Sequence, residues 1–366
     1  MKGKQGLVCM GLLLVLSSCS CHTGKQITAS GLQRKDFQTE VNGQHTDLFT
    51  LSNKQGMEVC ITNYGARVVS ILVPDRNGKR EDVVCGFSTI TEYMEQRQNF
   101  GSTVGRYIGR ILNARFTLDG VEYKLVPNNG KSGHISHGGN PGFADRIWKV
   151  EQADTHRVRL SYLSPDGENG FPGNLKVTLV YSLGEDDNAL DLTYEATTDA
   201  PTVLNLSHHS FFNISGNFTK SVEDQQLWVD ADRFTPYDDK KCVTGEYLPV
   251  AGTPLDFRMP HTIGECIDAD HPQLKVVNGY DHTWELNTKG DDTRPAAWVY
   301  DPASGRKMEI FTTEPGMQIY TGNGLKGKMT GKGGIAYPFR SAVCFETMHF
   351  QDSPNQPGFP STVLRP

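Results

Sequence analysis

The chain has 366 residues, with 42 acidic against 36 basic side chains and a formal net charge of −6. An acidic chain without a basic tract excludes the electrostatic footprint of a nucleic-acid-binding protein. Its eight cysteines contain no C-x-x-C pair, which excludes a zinc ribbon and a thioredoxin-type redox site.

The first residues read as an export signal. Lys2 and Lys4 supply a basic start, and the apolar run over 7–16 is too short to span a bilayer. Leu16-Ser17-Ser18-Cys19 resembles the bacterial lipobox, so residues 1–18 are expected to be removed as a lipoprotein signal peptide and Cys19 to become the diacylated N-terminus. Plain secretion with cleavage near these small residues is the alternative. Ser20 stands where a lipoprotein retained in the inner membrane would often carry Asp. The expected location is therefore the periplasm or outer membrane, with membrane contact only through the lipid. Cleavage takes away Lys2 and Lys4 and no acid, which moves the net charge from −6 to −8. Residues 19–45 are polar and without apolar periodicity, and read as a flexible tether.

From residue 46 onward, strand signals dominate. Alternating or β-branched and aromatic runs occur at 57–63, 68–73, 115–118, 121–126, 157–163, 175–183 and 189–198, with turn residues between them. Asp119-Gly120 predicts a two-residue hairpin turn of the primed type. Further strands are predicted at 226–230, 281–286, 296–300, 308–313, 318–321 and 341–350, and a short helix at 89–97. With 38 Gly and 19 Pro punctuating so many short strands, 46–366 reads as one all-β domain, a large antiparallel sandwich. Cys60, Cys85 and Cys344 fall in apolar runs and are expected to be buried free thiols, with no obligatory disulfide.

Two strand-like runs carry polar groups with no evident structural task. In Asn205-Leu-Ser-His-His-Ser-Phe-Phe-Asn213, an extended chain puts His209 on one face with Asn205 and Ser207, and His208 on the other with Leu204 and Leu206. His209 is thus the cleft candidate. In Ala342-Val-Cys-Phe-Glu-Thr-Met-His-Phe350 the single carboxylate is Glu346, and a charge inside such a run costs free energy unless it is paired or solvated. One imidazole and one strand carboxylate suggest proton transfer. Taken singly, His209 reads equally well as a satisfied core histidine and Glu346 as half of a buried ion pair. Arg110, His137 before Gly138-Gly139, and Asp281 add donors and acceptors of the kind a sugar requires. His208, His282 and His349 alternate to the opposite face, and Trp148 and Trp284 are expected in the core.

The order and spacing of several motifs strongly resemble the aldose 1-epimerases, also called galactose mutarotases. They are Gly105-Arg-x-x-Gly-Arg-Ile111, Ser136-His-Gly-Gly139, Asp166-Gly-Glu-Asn-Gly-Phe-Pro-Gly173, Asn205-Leu-x-x-His-Ser-x-Phe-Asn213, Gly279-Tyr-Asp-His282, Gln318-Ile-Tyr-Thr-Gly322, and Phe345-Glu-Thr-x-His-Phe350 leading into Pro354-Asn-Gln-Pro-x-Phe-Pro360. The resemblance implies a β-supersandwich with an open cleft for a free monosaccharide, and no metal or organic cofactor. It places the general acid on His209, the general base on Glu346, and sugar-hydroxyl contacts on Arg110, His137, Asp281 and Gln318. Anomer interconversion needs one group to take the C1 hydroxyl proton and another to protonate the ring oxygen, which such a pair supplies when Glu346 is ionised and His209 protonated.

The chain departs from the family in three places. Gly109 stands where many members have Asn, so one sugar contact is not carried over, and His208 stands where Asn is frequent. Members usually continue beyond the position of Pro366 with one more strand rich in Tyr and Phe, which predicts an open sheet edge near the Glu346 strand and lowered stability or a truncated gene model. Three other functions compete. A carbohydrate-binding protein on the same scaffold would tolerate loss of His209 or Glu346. A glycoside hydrolase would need a second acid beside Glu346, for which Asp281 is the candidate. A metal site on His137 and His209 would lack a convincing ligand set.

Overall fold

The computed structural model describes residues 26–366. The export signal and Cys19 lie outside the described residues. The large central sheet has six strands in the order Phe211–Phe212, Val343–Met348, Gly316–Tyr320, Asp281–Glu285, Arg233–Thr235, Leu248–Pro249, all antiparallel. Period-2 alternation sorts its side chains. Trp284, Met317, Ile319, Val343 and Phe345 enter one core, facing Leu227, Val229, Ala297 and Val299 of a four-stranded sheet. Asp281, Thr283, Gln318, Cys344 and Glu346 alternate with them and fall on the opposite side. A second pair of four-stranded sheets encloses a separate core. In it Val59, Ile61 and Val68 meet Leu160, Val177, Leu179 and Tyr181, with Trp148 fully buried between them.

Most predicted strands form close to their predicted bounds, for instance Arg157–Ser164, Leu175–Leu183 and Leu190–Thr198. The hairpin turn at Asp119-Gly120 has positive φ at both residues, 51° and 80°, as a type I′ turn requires. The predicted helix is Ile90–Gln96, started by a capping box in which Thr89 accepts from the backbone N–H of Glu92 and Glu92 accepts from that of Thr89. A second short helix, Pro272–Val277, was not predicted; its first residue is a proline, which reads as a turn signal in a strand-rich chain.

Two expectations are corrected. The described part of the predicted tether, 26–45, packs onto the body: Leu32 and Phe37 are buried in the cluster that holds Phe87, Tyr93 and Phe100. Two apolar side chains spaced five apart leave no periodic signal, yet each plugs a core gap. The sheet edge expected near Glu346 is also closed. Val343–Met348 has Gly316–Tyr320 on one side and Phe211–Phe212 on the other. Val363–Leu364 pairs with Thr202–Val203. Cys60, Cys85, Cys242, Cys266 and Cys344 are free thiols.

Candidate active site

The polar face of the central sheet forms the floor of a cavity of about 290 Å³, near the lower end of the range for small-molecule sites. Arg110, His137, His209, Asp281, Gln318 and Glu346 all line it. Six residues spread over 236 positions of sequence thus converge on one space, with no residue of the predicted set left outside.

Register explains the central pair. The run 205–213 is not one strand: Ser207–His209 pairs with Ser102–Val104, while Phe211–Phe212 joins the large sheet with Phe211 opposite Cys344. Continuing that antiparallel register brings residue 209 level with residue 346. His209 Nε2 lies 3.3 Å from Glu346 Oε1, both side chains nearly closed to solvent. The imidazole is held by stacking on Phe211, centroids 5.1 Å apart, and by the edge-on ring of His137 at 5.5 Å. As alternation predicts, His208 faces the other way, with Nε2 2.7 Å from Ser210 Oγ and its ring edge-on to Tyr181. His282 is buried against Phe234, Tyr237 and Trp284, and His349 pairs with Glu314 at 2.7 Å.

Burial sets the protonation of the pair. It pushes His209 well below its ordinary 6.5, helped by the neighbouring His137, and pushes Glu346 well above 4.5, helped by the Asp281 carboxylate. Burial of both partners therefore favours their neutral forms over the ion pair that proton transfer to and from a sugar uses. The groups titrate as one unit. With one proton shared between Nε2 and Oε1 the unit carries no net charge, and Nδ1 keeps a hydrogen directed at Cys344 Sγ, 3.7 Å away. Burial holds that thiol far above its ordinary value, so it stays uncharged.

The remaining groups form a polar wall. Gln318 Nε2 donates to Asp281 Oδ1 at 2.7 Å, and Thr283 Oγ1 donates to Gln318 Oε1 at 2.5 Å, which fixes the amide so that its nitrogen faces the carboxylate. Burial raises the Asp281 carboxyl, opposed by Arg110 and by the Gln318 hydrogen bond. Arg110 Nη1 donates to the Lys241 carbonyl at 3.3 Å. His137 Nδ1 accepts from the Gly109 N–H at 3.4 Å, leaving Nε2–H as a donor, and burial with Arg110 nearby pushes this histidine down to about 4. The loop motifs interlock behind it. The backbone of Gly138, at φ +78°, lies against the Gly105 carbonyl where a β-carbon would collide, and Asn169 Nδ2 donates to the carbonyls of Gly138 and Pro141 at 2.8 and 2.9 Å.

Sequence reasoning missed Gln98, Asn99, Phe211, Tyr320, Met348 and Gln351 in the lining, and Tyr237 behind it. Phe211 and Tyr320 were legible as the i+2 neighbours of His209 and Gln318. Among the described residues, His209, Cys344 and Glu346 bring three metal-capable atoms within 4.8 Å of one another. The thiol lies at Nδ1 and the carboxylate at Nε2. The two nitrogen lone pairs diverge, so a single ion would not hold all three, and the set does not fit a metal centre.

The family model described as aldose 1-epimerase matches residues 47–366. The chain belongs to the aldose 1-epimerase family. It is 39% identical to a galactose mutarotase of Sus scrofa over 318 residues, 87% of this chain and 90% of that protein. It is 36% identical to an aldose 1-epimerase of Escherichia coli K12, over 89% of this chain and 93% of that one. The solved structure of an aldose epimerase homologue from C. elegans superimposes with a TM-score of 0.80 at 31% identity, covering 88% of this chain and 95% of that one. The galactose 1-epimerase of Lactobacillus acidophilus gives 0.76 at 28% identity, with 89% and 94% covered. The fold is thus the mutarotase-type β-sandwich, and the protein is an isomerase that interconverts the anomers of an aldose.

Proposed function

We propose that the substrates are free aldohexoses, galactose and glucose foremost, and that His209 and Glu346 are the acid and base. The observation that carries this is the 3.3 Å approach of His209 Nε2 to Glu346 Oε1 in the wall of a polar cavity of sugar size. Glu346 removes the proton from the C1 hydroxyl as His209 delivers one to the ring oxygen. The C1–O5 bond breaks and C1 becomes a planar aldehyde. Rotation about C1–C2 presents the other face, and the two transfers run backwards to close the ring. Neither group bonds to carbon, because the barrier lies in moving protons that water moves poorly at neutral pH.

The one-proton pair serves either direction, and a proton shift across the 3.3 Å gap turns the neutral form into the reactive ion pair. Sugar hydroxyls give that ion pair polar partners, which favours the charged form for the reaction. Arg110 and Asp281 hold hydroxyls through charge-assisted hydrogen bonds, with His137 Nε2–H and Gln318 as further contacts, so that both reacting oxygens stay within reach. Exchange spectroscopy at equilibrium tests this reading: cross-peaks between the α and β C1 protons of galactose should build up faster with the protein. Retained binding without such exchange would leave a binding protein instead.

The pair's shifts fix the pH dependence. It gains a second proton only below the ordinary 6.5 of histidine, and loses its last one only above the ordinary 4.5 of glutamate. The expected kcat/KM profile has its acid limb below 6.5, the side to which burial moves His209. An acid limb at or above that value would show that His209 is not buried as a neutral base in the free enzyme.

The N-terminal sequence supports a lipid-anchored protein of the periplasm or outer membrane, through Cys19 and the apolar run before it. Labelled palmitate should enter the wild type and not Cys19→Ala. Equal labelling of both would remove the anchor.

A further inference from the structure

Gln351 is a polar side chain in the wall to which this reading gives no task. Gln351 lines the cavity, 5% exposed, in the loop that follows the Glu346 strand. Its amide is clamped at both ends. Nε2 donates to the Tyr237 hydroxyl at 2.7 Å, with Gln318 Oε1 at 3.5 Å, and Oε1 accepts the backbone N–H of Arg110 at 3.3 Å. The Arg110 N–H can only donate, so the oxygen end is fixed there and keeps a second lone pair. An amide anchored in this way is an acceptor set in place before the ligand arrives.

The space it uses comes from its neighbour. Gly109 has φ +74°, and a β-carbon on it would lie 2.6 Å from Gln351 Cγ and 3.1 Å from Cδ. The volume of a side chain at 109 is therefore filled by the stem of Gln351. Asn is the non-glycine residue most at ease with positive φ, so it is the side chain best able to stand at 109 in place of glycine.

We propose that Gln351 binds a sugar hydroxyl through Oε1, and that residue 109 is glycine because the two positions share one volume from which only one side chain reaches the ligand. The inference rests on the pocket being the aldose site. It assigns Gln351 as a specificity-determining residue and Gly109 as the vacancy that admits it.

The test is titration calorimetry of galactose and its monodeoxy analogues into the full chain, which reads binding without turnover. Gln351→Ala should weaken galactose binding roughly five- to tenfold, the loss of one hydrogen bond in a desolvated site. For one monodeoxy analogue, that lacking the contacted hydroxyl, wild type and variant should bind alike. Gly109→Asn alone should weaken binding because its β-carbon displaces Gln351, and G109N/Q351A should bind at least as tightly as either single variant. Gln351→Leu, which keeps the volume, takes the place of the single alanine variant if that one fails to fold, with the same loss of galactose affinity and the same analogue pattern required of it. An unchanged Kd overturns the proposal. So does an equal penalty on every analogue, which would mean that Gln351 only holds the Arg110 backbone. If the wild type binds galactose and accelerates its exchange while Gln351→Ala does not differ, this inference alone fails. If the wild type does neither, the aldose reading fails and takes the inference with it.

Discussion

Glu346→Gln is expected to lower kcat for galactose mutarotation by about 10³-fold, read by polarimetry of freshly dissolved α-galactose, with little change in KM. Glutamine keeps the shape of the side chain and its place beside His209, so binding survives. What goes is the carboxylate in contact with His209 Nε2, the group that accepts the proton. Water would have to take the C1 hydroxyl proton, and at neutral pH it is a poor base. A variant within a factor of three of the parent would remove Glu346 from the mechanism.

His209→Asn is expected to cost about 10²- to 10³-fold in kcat. Asparagine can place an amide near the Nδ1 position, 3.7 Å from Cys344 Sγ in the parent, but has no atom where Nε2 stood. The ring oxygen then loses its proton donor, and bond cleavage must produce a bare alkoxide. The loss is expected to be smaller than at Glu346, because solvent or a neighbouring N–H such as that of His137 can partly stabilise the developing charge. The variant should also unfold at a temperature close to the parent's, since the packing the ring contributes is a stacked contact with Phe211 and an edge-on one with His137. Full activity in this variant would assign acid catalysis to another group.

The sequence made most of this site legible because alternation is a local property. Two adjacent histidines in an extended run have to face opposite ways, and the polar neighbours of His209 marked its side correctly. The same rule, applied to Asp281, Gln318 and Glu346, puts them on the face opposite Trp284, Ile319 and Phe345. Order among strands is not local. Nothing in the run 205–213 shows that it breaks after His209, with one piece pairing to Ser102–Val104 and the other closing the edge of the Glu346 strand. Gln351 escaped for a related reason: its position depends on a positive φ at Gly109, 242 residues earlier in the chain, and neither residue signals the other. Leu32 and Phe37 were hidden in polar surroundings, where composition outweighed two isolated anchors.

Joint action of the two groups on a single proton unit is the central claim, and the double variant H209N/E346Q tests it most directly. If one group's transfer is useless without the other's, the double variant's polarimetric rate is expected to match that of the slower single variant. A double variant slowed by the product of the two single losses would show two independent contributions and contradict the coupled pair.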